Sequence, residues 1–276
     1  MSRETFTHDW LALREPVDHR SRAADLVVPL AEWWESRPSR RVLDLGSGTG
    51  SNLRYLAPRL PGEQAWTLVD RDAALLERAT HTVVAVRGMA GGAGAECVVG
   101  ELDREGLELV LGADLVTASA LLDLVTHEWL ERLVAACRAA GSGALLALTW
   151  DGTMTWDDPD PDDALVAAAV RGHQLRDKGM GPALGPAGGP AAERAFRAAG
   201  YDTRLRPSPW RLGPADTSLA RALIDGWVGA ASEQRPDDAK LIQSWADRRR
   251  ATTASTPGLN VGHVDLLALP RGLDSP

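Results

Sequence analysis

The sequence predicts an α/β protein built around a mostly parallel sheet, and three observations predict it. Short apolar runs of strand length alternate with segments of helical period between residues 41 and 150. The first of these runs ends in a glycine-rich turn that opens directly into a helix. A final apolar run, Val264 to Leu269, closes the chain after two amphipathic helices.

In order, residues 8–37 read as one or two helices, with Leu26, Val27, Leu30, Trp33 and Trp34 at helical spacing and Pro38 as the stop. Arg41 to Leu45 is the first strand, and Asn52 to Leu60 a helix with Leu53, Leu56 and Leu60 on one face. Ala65 to Val69 is a strand ending at Asp70, followed by a helix over 73–79. The β-branched run Thr82 to Val86 and the run Glu96 to Val99 read as two further strands, with Gly88–Gly94 as the turn between them. Asp114 to Ala118 is a strand, His127 to Ala140 a helix capped by Gly141, and Ala144 to Thr149 a buried strand.

Past Trp150 the pattern changes. Residues 151–163 read as an acidic loop, 164–176 as a helix, 179–189 as irregular, and 191–199 as a helix closed by Gly200. A strand over 201–206 and helices over 217–230 and 237–250 precede the last strand, so those two helices read as an insertion covering one end of the sheet.

Composition narrows the function classes. Thirty Lys and Arg against 38 Asp and Glu give a formal charge of −8, the wrong sign for non-specific nucleic-acid binding. Cys97 and Cys137 form neither a ligand cluster nor a disulfide framework, which fits a reducing cytoplasm. The charged opening residues do not read as a secretory signal, and no apolar run approaches the roughly 20 residues that span a bilayer. Ten tryptophans against two tyrosines and two phenylalanines either pack the core or line a ligand cavity.

The turn Gly46-Ser47-Gly48-Thr49-Gly50 carries the most chemistry. Glycines at alternate positions allow positive φ and a close approach of ligand to backbone. Asp70, at the end of the next strand, is placed to accept hydrogen bonds from a ribose diol. The dinucleotide fingerprint G-x-G-x-x-G fails in both frames, because Ser51 and Leu53 occupy its final position. Asp44 inside the strand end is awkward for a pyrophosphate but suits a cationic group such as an α-ammonium.

Val42-Leu43-Asp44-Leu45-Gly46-Ser47-Gly48-Thr49-Gly50 followed by Leu68-Val69-Asp70 resembles the cofactor signature of class I S-adenosylmethionine-dependent methyltransferases. The resemblance continues through Val99 to Asp103 and Asp114 to Asp123, with a weaker tail over 190–270. It implies a Rossmann-like fold with a seven-stranded, mostly parallel sheet and an antiparallel last strand. It also implies S-adenosylmethionine as cofactor, with Asp44 near its methionine end over a floor of Gly46, Gly48 and Gly50. Asp70 would hold the ribose, Arg71 would lie along the adenine, and Glu101 or Asp103 would meet the adenine amino group, Glu101 being favoured. Ser119 and Ala120 would border the methionine moiety, and Ser47, Asn52 and Leu102 complete the candidate set. Ser119-Ala120-Leu121-Leu122 lacks the Asp/Asn-Pro-Pro-aromatic run of the enzymes that methylate nucleic-acid amino groups.

The expected division is an N-terminal helical segment, 1–38, and a methyltransferase domain, 39–276. Within the latter, 39–150 is the cofactor core and 151–190 and 207–258 are substrate or lid elements.

Methyl transfer from a sulfonium is an in-line displacement in which positioning and desolvation carry much of the rate. His127 is the candidate base, or else an exposed helix-start histidine. Asp123 either orients an acceptor or caps a turn. Trp150 and Asp151 either face the acceptor at the rim or close the core and the turn. His173 and Trp210 fall in the region expected to read acceptor shape. Arg14, Arg20 and Arg22 are candidates for the cofactor's carboxylate or simply a solvated face, while His8, His19, His81 and His263 show no metal-ligand spacing.

The expected activity is therefore methylation of an oxygen, nitrogen or carbon of a small molecule, without metal, nucleic acid or membrane, and with a homodimer left open. Two other readings stand beside it: methylation of a protein or RNA, and an accessory protein that keeps the cofactor site without transfer.

Overall fold

A computed structural model describes residues 6–87, 93–253 and 258–271 of the chain. Two helices lead in, α1 (His8–Ser21) and α2 (Val27–Glu35). Thr7 caps α1 by accepting the Trp10 N–H at 3.2 Å. The central alternation follows as β1 (Arg41–Leu45), α3 (Ser51–Leu56), β2 (Gln64–Asp70), α4 (Ala73–Arg87) and β3 (Ala93–Val99). It continues through a short α5 (Leu107–Leu109), β4 (Leu115–Ser119), α6 (His127–Ala140) and β5 (Gly143–Trp156). Then come α7 (Asp163–Gln174), α8 (Gly188–Ala198), β6 (Tyr201–Pro207), β7 (Trp210–Leu212), α9 (Thr217–Gln234), α10 (Ala239–Thr253) and β8 (Leu259–Pro270).

The strands form one sheet in the order β3-β2-β1-β4-β5-β8-β6, with β7 pairing the free half of β8. β1 to β5 pair in parallel, and β8 is antiparallel to β5, β6 and β7. Alternation along β1 sends Val42 to one face, among Leu30 and Trp34 of α2 and Leu53 of α3, and Leu43 and Leu45 to the other, among Leu130 of α6 and Phe196 of α8. Burial on both faces is why these strands read as continuous apolar runs. A third apolar cluster sits where β5 and β8 run on beyond the sheet's middle. There Trp156 meets Trp227 of α9 and Trp245 of α10 edge-on, both at 6.5 Å.

Four expectations need correction. The sheet has eight strands rather than seven, because β8 is twelve residues long and its first half recruits the three-residue β7, Trp210 opposite Val261. Residues 82–86 continue α4 instead of forming a strand. β3 alone fills the place beside β2, Gln64 opposite Ala93 through Asp70 opposite Val99, so β-branched propensity yields to the crossover that a parallel pair needs. The turn expected over Gly88–Gly94 lies largely outside the described residues; Ala93 and Gly94 belong to β3. β5 runs to Trp156, so Trp150 and Asp151 lie within a strand and not in the loop after it.

Candidate functional site

The turn after β1 is built by glycine. Gly46, Gly48 and Gly50 sit at φ +65°, +52° and +78°, where other residues carry a steric cost. Ser47 N–H donates to the Val69 carbonyl at 3.0 Å and Gly48 N–H to Asp70 Oδ2 at 2.8 Å, tying the turn to the end of β2. The other oxygen of Asp70 accepts the Asp72 N–H at 2.9 Å, so each oxygen keeps a lone pair for a further donor. A Cβ on Gly48 would stand 3.1 Å from Leu11 Cδ1 of α1.

Behind the turn lies a buried polar network. Asp44 Oδ1 accepts from Asn52 Nδ2 at 2.9 Å and from Thr117 Oγ1 at 2.8 Å, and Asn52 also reaches Thr117. Asn52 Oδ1 accepts from Arg22 at 2.9 Å, and Arg22 Nε donates to Asp265 at 3.2 Å. Asp265 is saturated, accepting also from Ala23 N–H at 3.0 Å, Leu148 N–H at 2.7 Å and Ser208 Oγ at 2.6 Å. Asp44 is not: its Oδ2 is buried without a partner among the described residues, as is Ser47 Oγ. Burial pushes the Asp44 carboxyl up to about 6, against the pull of Asn52, Thr117 and Arg22.

Three adjoining cavities open at the carboxyl ends of the parallel strands. A cleft of about 160 Å³ is lined by Gly46, Gly48, Asp70, Arg71, Glu101, Leu102, Ser119 and Ala120. A recess of about 60 Å³ beside it holds Asp44, Ser47, Asn52 and Ser119. A larger cavity of about 560 Å³, within the range of small-molecule sites, is walled by Asp123, Trp150, His173, Trp210 and Trp227, and by His263 of β8. Arg14 lines all three, and Ala120 the cleft and the large cavity. Ala120 takes φ +52°, an uncommon conformation outside glycine, with its N–H donated to the Ala147 carbonyl at 2.9 Å.

The methyltransferase-domain family pattern matches residues 42–141. Residues 42–141 therefore carry a methyltransferase domain. Among solved structures, a cyclopropane-fatty-acyl-phospholipid synthase-like protein from Lactobacillus casei superposes over 98% of this chain and 96% of its own, at 14% identity and a TM-score of 0.58. The cyclopropane synthase MmaA2 from Mycobacterium tuberculosis superposes over 95% and 94%, at 11% identity and 0.51. At these identities the likeness is one of fold. A methyltransferase from Geobacter sulfurreducens, solved with S-adenosyl-L-homocysteine, aligns over 96% and 99% at 18% identity, with a TM-score of 0.46 that is too low to bear on the site. No curated protein matches the chain in sequence.

In and around this methyltransferase domain the sequence-predicted residues separate cleanly. The cofactor candidates gather at the cleft and recess, except Gly50, which turns the chain into α3 with its Cα side against Ala79. Trp150, Trp210, His173 and Asp123 share the large cavity, where Asp123 Oδ2 accepts from Gln174 at 3.0 Å and His173 Nε2 lies 3.1 Å from Glu233. His127 is not among the cavity-lining residues. It starts α6 with its side chain 66% exposed, 3.4 Å from Glu131 one turn on. Asp151 does not line a cavity either. Neighbours in a strand face opposite ways, so Trp150 enters the cavity while Asp151 turns over Gly262 and accepts the Thr153 N–H at 2.8 Å. Arg20 pairs at the surface with Asp216 at 2.6 Å, and Arg22 is spent on the buried network. Among the described residues, no group of three or more His, Cys, Asp or Glu is arranged to hold a metal ion, and no helix is long and apolar enough to cross a membrane.

Sequence reasoning gave Thr117 and Asp265 no role and weighed His263 only for metal-ligand spacing, whereas Arg14 was a candidate for the cofactor's carboxylate and does line the cleft and recess. Thr117, Asp265 and His263 each left one signal, a polar residue inside a strand otherwise reading as apolar, and that signal names no ligand.

Proposed function

We propose that the chain transfers the methyl group of S-adenosylmethionine to a small molecule held in the large cavity. One observation carries this reading: the glycine-turn cleft and the tryptophan-walled cavity meet at Ala120 and Arg14, so a group in one can face a group in the other. The residues present fit the cofactor. The unpartnered Asp44 Oδ2 and Ser47 Oγ suit an α-ammonium, Arg14 suits the adjoining carboxylate, and the spare lone pairs of Asp70 suit a ribose diol. Arg71, Glu101 and Leu102 would bound the base, and Ser119 and Ala120 the methionine arm. When bound, the cofactor supplies a methyl group on a positively charged sulfur, already activated for displacement.

The chain's own part is placement and exclusion of water. Trp150 and Trp210 would bracket the acceptor, Asp123 and His173 would hold its polar edge, and 151–190 with 207–258 would roof it over the core 39–150, with 1–38 closing the side. Incubation with methyl-labelled S-adenosylmethionine and a panel of phenols, amines and carboxylic acids tests this. Label entering a small molecule supports the reading. Label entering only RNA or protein overturns it, as does tight cofactor binding without transfer to any acceptor in cell extract.

A further inference from the structure

His263 stands in the middle of β8, opposite Trp150 of β5, with its ring 4.7 Å from that of Trp210. It is 6% exposed and lines the large cavity. Its Nδ1 lies 3.1 Å from the Val261 carbonyl oxygen. A carbonyl can only accept, so the proton is on Nδ1, and Nε2 presents a lone pair. The ring lines the large cavity, and its recorded hydrogen bond is the one at Nδ1. An acceptor at the wall of a cavity is matched when a ligand in that cavity brings a donor.

We propose that His263 Nε2 accepts the hydrogen bond of a hydroxyl on a flat, uncharged, apolar acceptor, and takes the proton of that hydroxyl during transfer. This rests on the methyl-transfer reading above and names its substrate class. The walls fit such a molecule: Trp10, Trp150, Trp210 and Trp227 offer four aromatic surfaces. Arg14 lies 5.3 Å over the Trp210 ring, its Nε committed to Asp18 at 2.7 Å, and its charge opposes a cationic acceptor at this end. Asp123, His173 and Glu233 line the same cavity, and His173 and Glu233 face one another.

Burial, and then the charge of Arg14, hold the imidazole down to about 3, so it stays neutral at physiological pH. A base this weak would not ionise a free alcohol. It suffices once the oxygen forms its bond to the methyl carbon while sulfur keeps the electron pair of the bond it loses. The oxygen is then an oxonium, a far stronger acid than the alcohol, and its proton passes to Nε2 and later to water. An ammonium formed on nitrogen would keep its proton, which is why a hydroxyl is assigned.

The test is equilibrium dialysis of 2-naphthol and of naphthalene against the chain saturated with S-adenosyl-L-homocysteine. The parent should hold 2-naphthol about three- to tenfold more tightly, the range of one net hydrogen bond. His263→Phe should abolish that preference, and His263→Gln, which returns an acceptor oxygen near the Nε2 position, should restore it. Melting curves and homocysteine-nucleoside affinity establish that both variants fold. If the nucleoside binds but the preference is absent in the parent or survives in His263→Phe, the hydroxyl assignment is wrong. If the nucleoside itself does not bind the parent, the methyl-transfer reading falls first and this inference with it.

Discussion

The carboxylate of Asp265 in β8 accepts the backbone N–H of Leu148 in β5 at 2.7 Å, and Leu148 sits at φ +52° where the β5–β8 register slips between Leu146 and Thr149. Beyond that slip β5 carries Trp150, and β8 carries His263, both walls of the large cavity. Asp265 also holds Arg22, which holds Asn52, which holds Asp44. One carboxylate thus shapes the large cavity and braces the recess.

Asp265→Ala should destabilise the chain by about 3–5 kcal/mol, because it leaves the buried Arg22 guanidinium and three further donors unmatched. Urea unfolding measures it. A loss below about 1 kcal/mol would mean that the network is hydrated and not braced.

Asp44 gives a pH signature. Below about its ordinary value of 3.8 the carboxyl is protonated in folded and unfolded chains alike. Between there and about 6 the unfolded chain has released a proton that the folded chain keeps, so stability falls as pH rises, by about 3 kcal/mol in all. Asp44→Asn should flatten unfolding free energy across that window. It should also remove a rise in S-adenosylmethionine affinity with pH, since the ionised carboxylate is the form that attracts an ammonium. A parent and variant with parallel profiles would refute both.

Gly48→Val places a branched side chain at φ +52° against Leu11. About 1–2 kcal/mol of stability should be lost, with cofactor affinity falling far more steeply than stability. Calorimetry showing parental affinity would mean that the ligand does not lie along this turn.

Asp70→Ala removes the acceptor assigned to the ribose and should weaken cofactor binding by about 1.5–3 kcal/mol, the worth of hydrogen bonds to a charged group. Part of that comes from the Gly48 N–H losing its partner. Asp70→Asn, which keeps one acceptor oxygen, should lose less. Equal losses in the two variants would point to the turn alone.

Most of the parallel half of the fold was legible because β1, β4 and the first half of β5 are buried on both faces and the turn needs glycine at three fixed places; residues 82–86, which continue α4, were the exception. Those constraints are local, and the chain writes them in consecutive residues. Strand β7 was not legible: three residues owe their conformation to the free half of β8, a partner some 50 residues away. The acceptor side divided for the same reason. Asp123 and Trp150 were expected at the ligand edge from the strands they follow, and His173 and Trp210 from the segments expected to cover it, but which face of β5 met the cavity depended on where the strand ended. His127 has a helix-start position and a useful chemistry, yet nothing local says that its side chain points to solvent. His127→Ala should therefore leave cofactor affinity and turnover unchanged, and a drop of tenfold or more would return it to the site. His263 was hidden by the opposite circumstance, a polar residue in an apolar strand whose surroundings come from β5, β7 and α1.

A crystal structure of the chain with S-adenosyl-L-homocysteine tests the central claim most directly. The ribose hydroxyls should lie within hydrogen-bond distance of Asp70, the α-ammonium should meet Asp44 Oδ2, and the sulfur should point past Ala120 toward Trp150 and Trp210. A nucleoside seated elsewhere, or a sulfur turned away from the large cavity, would contradict it.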